Sequence, residues 1–317
     1  MVKQCVENLT MSELVLLCPG QGAQKAGMGK AWFDASGAAK SIFERADKLL
    51  GDSLGLPLSK ICFEDPNSEI NKTNVSQPAI YTCSIAAWHG LREEGLAGDI
   101  KATAGLSLGE YSALHLAGVF SFEDGLSLVA KRGALMQDAA EAQSSTMVAV
   151  MGDDDAILKL CDEARGSDIL VPANFNAPGQ IVLSGSVEAC ERAVSLSGDT
   201  GLRATPLSVA GAFHSPFMQS AADAMAEALD DVAFNKPEID VWSNVTGELH
   251  DPEHIKECLV EQITGSVRWS QSSKAMASEY DGCDWHELAP SGVLRGLMRR
   301  IERTIKVIPH DEPTQDN

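Results

Sequence analysis

The chain has 317 residues, enough to bury one large core or two modest ones, since single cores stop growing at about 250 residues. Its 44% hydrophobic and 22% charged residues match a folded soluble protein and exclude a disordered chain. A formal net charge of -20 argues against nucleic acid or an anionic membrane as principal partner, because long-range repulsion opposes each encounter.

In chain order, the first element is the short apolar run LVLLC (14–18), which empties into Pro19-Gly20-Gln21-Gly22 and reads as a buried strand feeding a tight loop. A continuous apolar strand implies a sheet covered on both faces. Helical patterns follow over 30–50 and 77–94, then a short strand ending at Gly105-Leu106, then helices from Leu108 and Phe122. Such alternation is the α/β signature. From about Ser145 the units shorten: STMVAVMG (145–152) as a strand, 154–165 as a helix, DILVPANF (168–175) and QIVLSG (180–185) as strands, a helix from Val187, and a strand over 203–209. That βαββαβ order predicts a ferredoxin-like lobe of residues 141–209 inserted into a larger body formed by 1–140 and 210–317. After His214 the longer rhythm returns with a helix from Pro216, the strand IDVWSNV (239–245), further helices and a closing strand over 305–308; HDEPTQDN (310–317) reads as a loose polar tail.

The residues at the start, MVKQCVENLTMSE, lack the apolar core of a secretory signal, no run approaches the ~18 apolar residues of a spanning helix, and Met11 is a candidate alternative start. A cytoplasmic protein is expected. The eight cysteines (Cys5, Cys18, Cys62, Cys83, Cys161, Cys190, Cys258, Cys283) show no metal-type spacing, so reduced thiols and no metal site are expected.

Chemistry concentrates at three positions. Gly105-Leu106-Ser107-Leu108-Gly109 matches G-x-S-x-G at a strand-to-helix junction, where a sharp turn lifts a nucleophilic hydroxyl out of the sheet; the alternative is a turn serine capping the next helix. His214 directly precedes Ser215-Pro216, an N-cap and N1 pair, and a helix start there would disfavour the imidazolium and keep a neutral base; the alternative is a polar loop residue. Arg132 shares a helix face with Leu128, Val129, Leu135 and Met136, which draws its charge onto an apolar stripe. Either a substrate carboxylate meets its planar fork there, or it forms a structural ion pair or snorkels outward. His250 and His254 flank Asp251-Pro252 without forming HExxH and read as a solvated helix end; His89, His115 and His286 carry no nameable chemistry.

The segments PGQGAQKAGMG (19–29), GLSLGEYSALHLAGVFSFEDGLSLVAKRGALMQ (105–137), NFNAPGQIVLSG (174–185), GAFHSPFM (211–218) and LVEQ (259–262) together resemble the malonyl-CoA:acyl carrier protein transacylases, from about 14 to 308. The resemblance implies an α/β fold: a large α/β-hydrolase-like domain with a parallel sheet plus the small inserted lobe. It further implies ping-pong transfer of malonyl from malonyl-CoA to the phosphopantetheine thiol of acyl carrier protein, in fatty acid synthesis, by a monomer without a cofactor. Position by position it implies Ser107 as nucleophile, His214 as its base, Arg132 as carboxylate anchor, and the Gln21 and Leu108 amides as oxyanion donors. A main-chain carbonyl at Gln262 takes the place of a catalytic Asp, and Gln262, Phe213 and Asn174 join Arg132 on the substrate-binding side. Carrier proteins are usually acidic, so docking would use Arg295, Arg299, Arg300, Arg303 and Lys25.

The chain departs from the family's pattern in two places: Leu106 stands where a histidine is frequent, and Cys18 where an aromatic residue is. GAFHS (211–215) resembles malonyl-preferring members, and Phe213 would crowd an α-methyl branch by only ~1–3 kcal/mol, a preference and not an exclusion. The rival readings are a serine hydrolase or thioesterase, a polyketide-pathway acyltransferase with the same site, and a carrier-binding scaffold with a dead site.

Overall fold

The computed structural model describes residues 12–314, so Cys5, Met11 and the last three residues of the polar tail lie outside the described residues. Nine strands, β1 (Glu13–Cys18), β2 (Asp99–Gly105), β3 (Ser145–Met151), β4 (Leu170–Ala177), β5 (Gln180–Ser186), β6 (Arg203–Pro206), β7 (Asp240–Trp242), β8 (Asp284–Leu288) and β9 (Val307–His310), form two sheets. The larger is wholly parallel, in the order β7-β2-β1-β8-β9; the smaller is antiparallel, in the order β4-β5-β3-β6.

β1 runs through the centre of the large sheet, and Leu14, Val15, Leu16, Leu17 and Cys18 are all buried. One face, with Val15, Leu17, Ala102 and Ala104, packs with Trp269, Met276, Leu294 and Met298 from two C-terminal helices. The Thr73–Glu93 helix lies in the main core cluster with the Gly109–Leu116 and Phe122–Ala142 helices. Both faces are therefore covered, as a parallel sheet of continuous apolar strands requires. The small sheet has its own core of Val148, Val150, Ile157, Leu160, Ile181 and Leu183, and its elements follow the βαββαβ order expected from the sequence.

Several boundaries differ from expectation. The 30–50 pattern is two helices, Lys30–Ala35 and Gly37–Leu50, because Ser36 is extended and its hydroxyl caps the second by accepting from Ala39 N. The helix expected over 77–94 begins at Thr73, upstream of Pro78. β6 ends at Pro206, and Leu207 to Ala210 turn to line a cleft. Residues after 216 form a single 3-10 turn before the Gln219–Asp230 helix. β8 has no counterpart in the sequence reading. The tail is anchored as far as it is described, since Asp311 accepts from Ser291 N and Lys25 and Thr314 donates to Glu94. Among the described residues, no helix is long and apolar enough to cross a membrane, no cysteine pairs with another, and no cluster of three or more His, Cys, Asp or Glu could hold a metal.

Candidate active site

A cleft of about 550 Å³ opens beyond the carboxyl ends of β1 and β2, where parallel sheets place their ligands. The small sheet closes it from the other side with Met147, Asn174, Asn176 and Val182.

The nucleophile turn follows from close backbone packing. A Cβ at Gly105 would meet the Gly109 carbonyl within 2.0 Å, and one at Gly109 would meet the Cys18 carbonyl oxygen at 2.1 Å, so the strand and helix can converge only on glycine. Ser107, between them, takes a left-handed φ of 52°, and His214 one of 56°. Both conformations are costly for residues with a Cβ and persist only where surroundings enforce them. Asn244 is one such enforcer: its Oδ1 accepts from Ser107 N at 2.6 Å and its Nδ2 donates to Gly105 O at 2.7 Å.

Although 107 residues apart, Ser107 Oγ and His214 Nε2 lie 2.8 Å from each other. On its far side His214 Nδ1 lies 2.6 Å from the Gln262 carbonyl. A carbonyl only accepts, so the proton sits on Nδ1 and Nε2 turns its lone pair to the serine. Burial and the neighbouring Arg132 charge lower the His214 pKa to about 4, so the imidazole is neutral at physiological pH. The sequence reading looked to the helix start for this effect; burial and Arg132 carry it instead.

Arg132 is fully buried against the cleft, and its helix places it beside the serine. Its three hydrogen-bond acceptors are neutral: Gln77 Oε1 at 2.7 Å, Gln262 Oε1 at 2.8 Å and Ser107 Oγ at 3.1 Å. Nε has no partner among the described residues, and burial lowers the guanidinium pKa. An isolated buried charge is costly, and this one is touched directly only by dipoles and by the Tyr111 ring face at 5.6 Å, with the Glu110 carboxylate one Gln262 amide away. The site therefore holds a cation with no direct ion-pair partner among the described residues, beside a serine hydroxyl.

Of the other expected residues, Gln21 lines the cleft on the loop after β1, Leu108 follows the serine at the helix start, and Phe213 and Asn174 form part of the wall. No acceptor among the described residues takes the Gln21 or Leu108 amide. Gln262 does not line the cleft; its side chain supports Arg132 from behind while its carbonyl holds His214. His254 is exposed and contacts Asp251, as a solvated helix end should, whereas His250 is buried against Glu110 and corrects that reading. Sequence reasoning missed Gln77, Asn244 and Glu110. Glu110 alone left a signal, a carboxylate within the apolar helix Gly109–Leu116.

The cleft, nucleophile turn and Ser-His contact are the parts of an acyl-serine site, and the comparisons put it among the acyl transferases. The model of the acyl transferase domain matches residues 15–286, and the chain belongs to this family. Within it, the chain is 39% identical over 307 residues to the malonyl CoA-acyl carrier protein transacylase of Bacillus subtilis, covering 96% of this chain and 95% of that protein. The solved malonyl CoA-acyl carrier protein transacylase of Clostridium perfringens is 36% identical, with a TM-score of 0.88 over 95% of this chain and 94% of that one. A malonyl-transacylase solved in complex with a type II PKS acyl-carrier protein is 35% identical, also with a TM-score of 0.88, over 95% of this chain and 97% of its own.

Proposed function

We propose that this chain transfers a malonyl group from malonyl-CoA to the phosphopantetheine thiol of acyl carrier protein through an ester on Ser107. The observation that carries the reading is the buried Arg132 guanidinium, without a direct ion-pair partner among the described residues, 3.1 Å from Ser107 Oγ, itself 2.8 Å from His214 Nε2. A nucleophile alone would serve any acyl group; a cation at its side selects one with a terminal carboxylate.

In the first half-reaction, His214 Nε2 takes the serine proton as Oγ attacks the thioester carbon, and the Gln262 carbonyl steadies the imidazolium through Nδ1–H. The free Gln21 and Leu108 amides hold the tetrahedral oxyanion. Collapse breaks the C–S bond, and His214 returns its proton to the leaving CoA thiolate. In the second half-reaction the carrier's thiol gives its proton to His214, attacks the ester and leaves with malonyl, and Ser107 recovers its proton. Arg132 holds the malonyl carboxylate throughout, Phe213 and Asn174 wall the acyl group, and Gln262 positions Arg132 and His214. Neither half-reaction needs a cofactor.

We assign 1–140 and 210–317 to the larger, α/β-hydrolase-like domain and 141–209 to a ferredoxin-like subdomain, with the cleft between them. The chain works as a monomer in the cytoplasm, where malonyl-CoA and carrier protein meet. Carrier docking falls to the exposed Arg295, Arg299 and Arg303; Arg300 is engaged with Gln180 and Pro178, and Lys25 with Asp311. The solved complex with a type II PKS acyl-carrier protein supports a carrier as partner and keeps a polyketide pathway as the second reading. Product analysis with purified carrier proteins tests the proposal: malonyl-carrier should form only with an acceptor thiol present. Free malonate at the same rate without acceptor would make the protein a thioester hydrolase.

A further inference from the structure

Behind the nucleophile turn lies a group of buried polar side chains with no part in the reaction above. The Glu110 carboxylate accepts from His250 Nε2 at 2.6 Å, from Asn244 N at 3.1 Å and from Gln262 Nε2. The Glu110 and His250 side chains are each only 1% exposed. A buried carboxyl group is costly unless its hydrogen bonds are met, and the His250 ring supplies one of the three that meet this one. Burial by itself pushes the His250 imidazolium toward neutrality, but contacts with Cys258 and Glu110 outweigh it, and the pKa is raised to about 9.

Gln262 links this pair to the cleft. Its amide has two ends that cannot both be chosen freely: Nε2 faces Glu110 and the Ser107 carbonyl, and Oε1 faces Arg132. Glu110 Oε2 and the Ser107 carbonyl both accept from Nε2, which leaves Oε1 for the guanidinium, a group that only donates. The flipped amide would set an oxygen against the carboxylate and an N–H against Arg132. Resting on the function proposed above, we infer that His250 is a positioning residue for the carboxylated acyl group: by holding the Glu110 carboxylate it fixes the Gln262 amide, and through it the Arg132 guanidinium. The Gln262 main-chain bond to His214 does not depend on the side-chain orientation, so the nucleophile and base stay in place.

This separates His250 from a merely structural residue, because its loss should injure malonyl and spare acetyl. The test compares wild type, His250→Leu and His250→Gln by the rate of Ser107 acylation from malonyl-CoA and from acetyl-CoA, with melting temperatures alongside. His250→Leu should lower the malonyl-to-acetyl ratio of kcat/KM by roughly tenfold, mostly through KM for malonyl-CoA. His250→Gln, which keeps an N–H donor without the charge, should fall between Leu and wild type, and decides the matter alone if the Leu variant does not fold. In an Arg132→Ala background, His250→Gln should leave the ratio where Arg132→Ala set it. An unchanged ratio, or an equal fall for both donors, would overturn the inference. Failure of the underlying reading looks different, since wild type would then take no acyl group from malonyl-CoA.

Discussion

Replacing Arg132 with Ala removes the cation held against Ser107 by Gln77 and Gln262. A substrate carboxylate about 4 Å from the guanidinium centre gains roughly 4 kcal/mol at an effective dielectric constant near 20, which corresponds to about three orders of magnitude. Part of that gain is offset in the wild type because the carboxylate must leave water, so a measured loss of ~2–5 kcal/mol is the working range. Acetyl has no carboxylate and forgoes this interaction. The assay is pre-steady-state acylation with malonyl-CoA and acetyl-CoA in parallel, read as kcat/KM for each. Arg132→Ala should cost malonyl about thirtyfold or more while acetyl changes less than roughly tenfold. Arg132→Lys, a point charge without the fork, should recover only part of the preference. Because Arg132 also touches Ser107 Oγ, a general loss of nucleophilicity is the competing outcome. An equal fall for both donors would refute the anchor role and leave the buried charge as a structural feature.

The remaining expectations concern the base, the turn and the surface. With the His214 pKa lowered to about 4, the base is neutral above that pH, so the acid limb of kcat/KM for acylation should centre near 4; a limb near the ordinary histidine value of about 6.5 would contradict its burial. The same depression means the unfolded chain binds the extra proton between those two values, so stability is full above about 6.5 and falls as pH drops through that window, as urea melts would record. Asn244→Ala releases the Ser107 amide and the Gly105 carbonyl and should cost ~1–3 kcal/mol in urea stability, with slower acylation at full malonyl-CoA saturation. Arg299→Glu should raise KM for the carrier protein at low salt and flatten its salt dependence without altering the malonyl-CoA half-reaction; an unchanged salt dependence removes Arg299 from the docking surface.

Local pattern was enough for the strand LVLLC, the glycine-framed serine and the small lobe's βαββαβ order, because each depends on neighbours in the chain. Arg132 was legible as an anomaly, a charge among Leu128, Val129, Leu135 and Met136, although only its three neutral partners show that no carboxylate among the described residues pairs with it directly. β8 escaped because DWHEL buries His286 and Glu287, residue types that local reading turns outward. Glu287 is buried for a reason no window contains: its carboxylate accepts from Leu294 N and Arg295 N at the start of the following helix. Asn244 and His250 escaped for a related reason, since their partners Ser107 and Glu110 stand 137 and 140 residues away. Nothing in HDPEH separates the exposed His254 from the buried His250 until Glu110 is in view.

Intact-protein mass spectrometry after brief exposure to malonyl-CoA, without acceptor, tests the central claim most directly. The account requires wild type to gain the mass of one malonyl group, the Ser107→Ala variant to gain none, and the added mass to disappear when carrier thiol is supplied. A wild type that gains nothing, or an alanine variant that gains as much, would place the chemistry somewhere other than the Ser107–His214 contact.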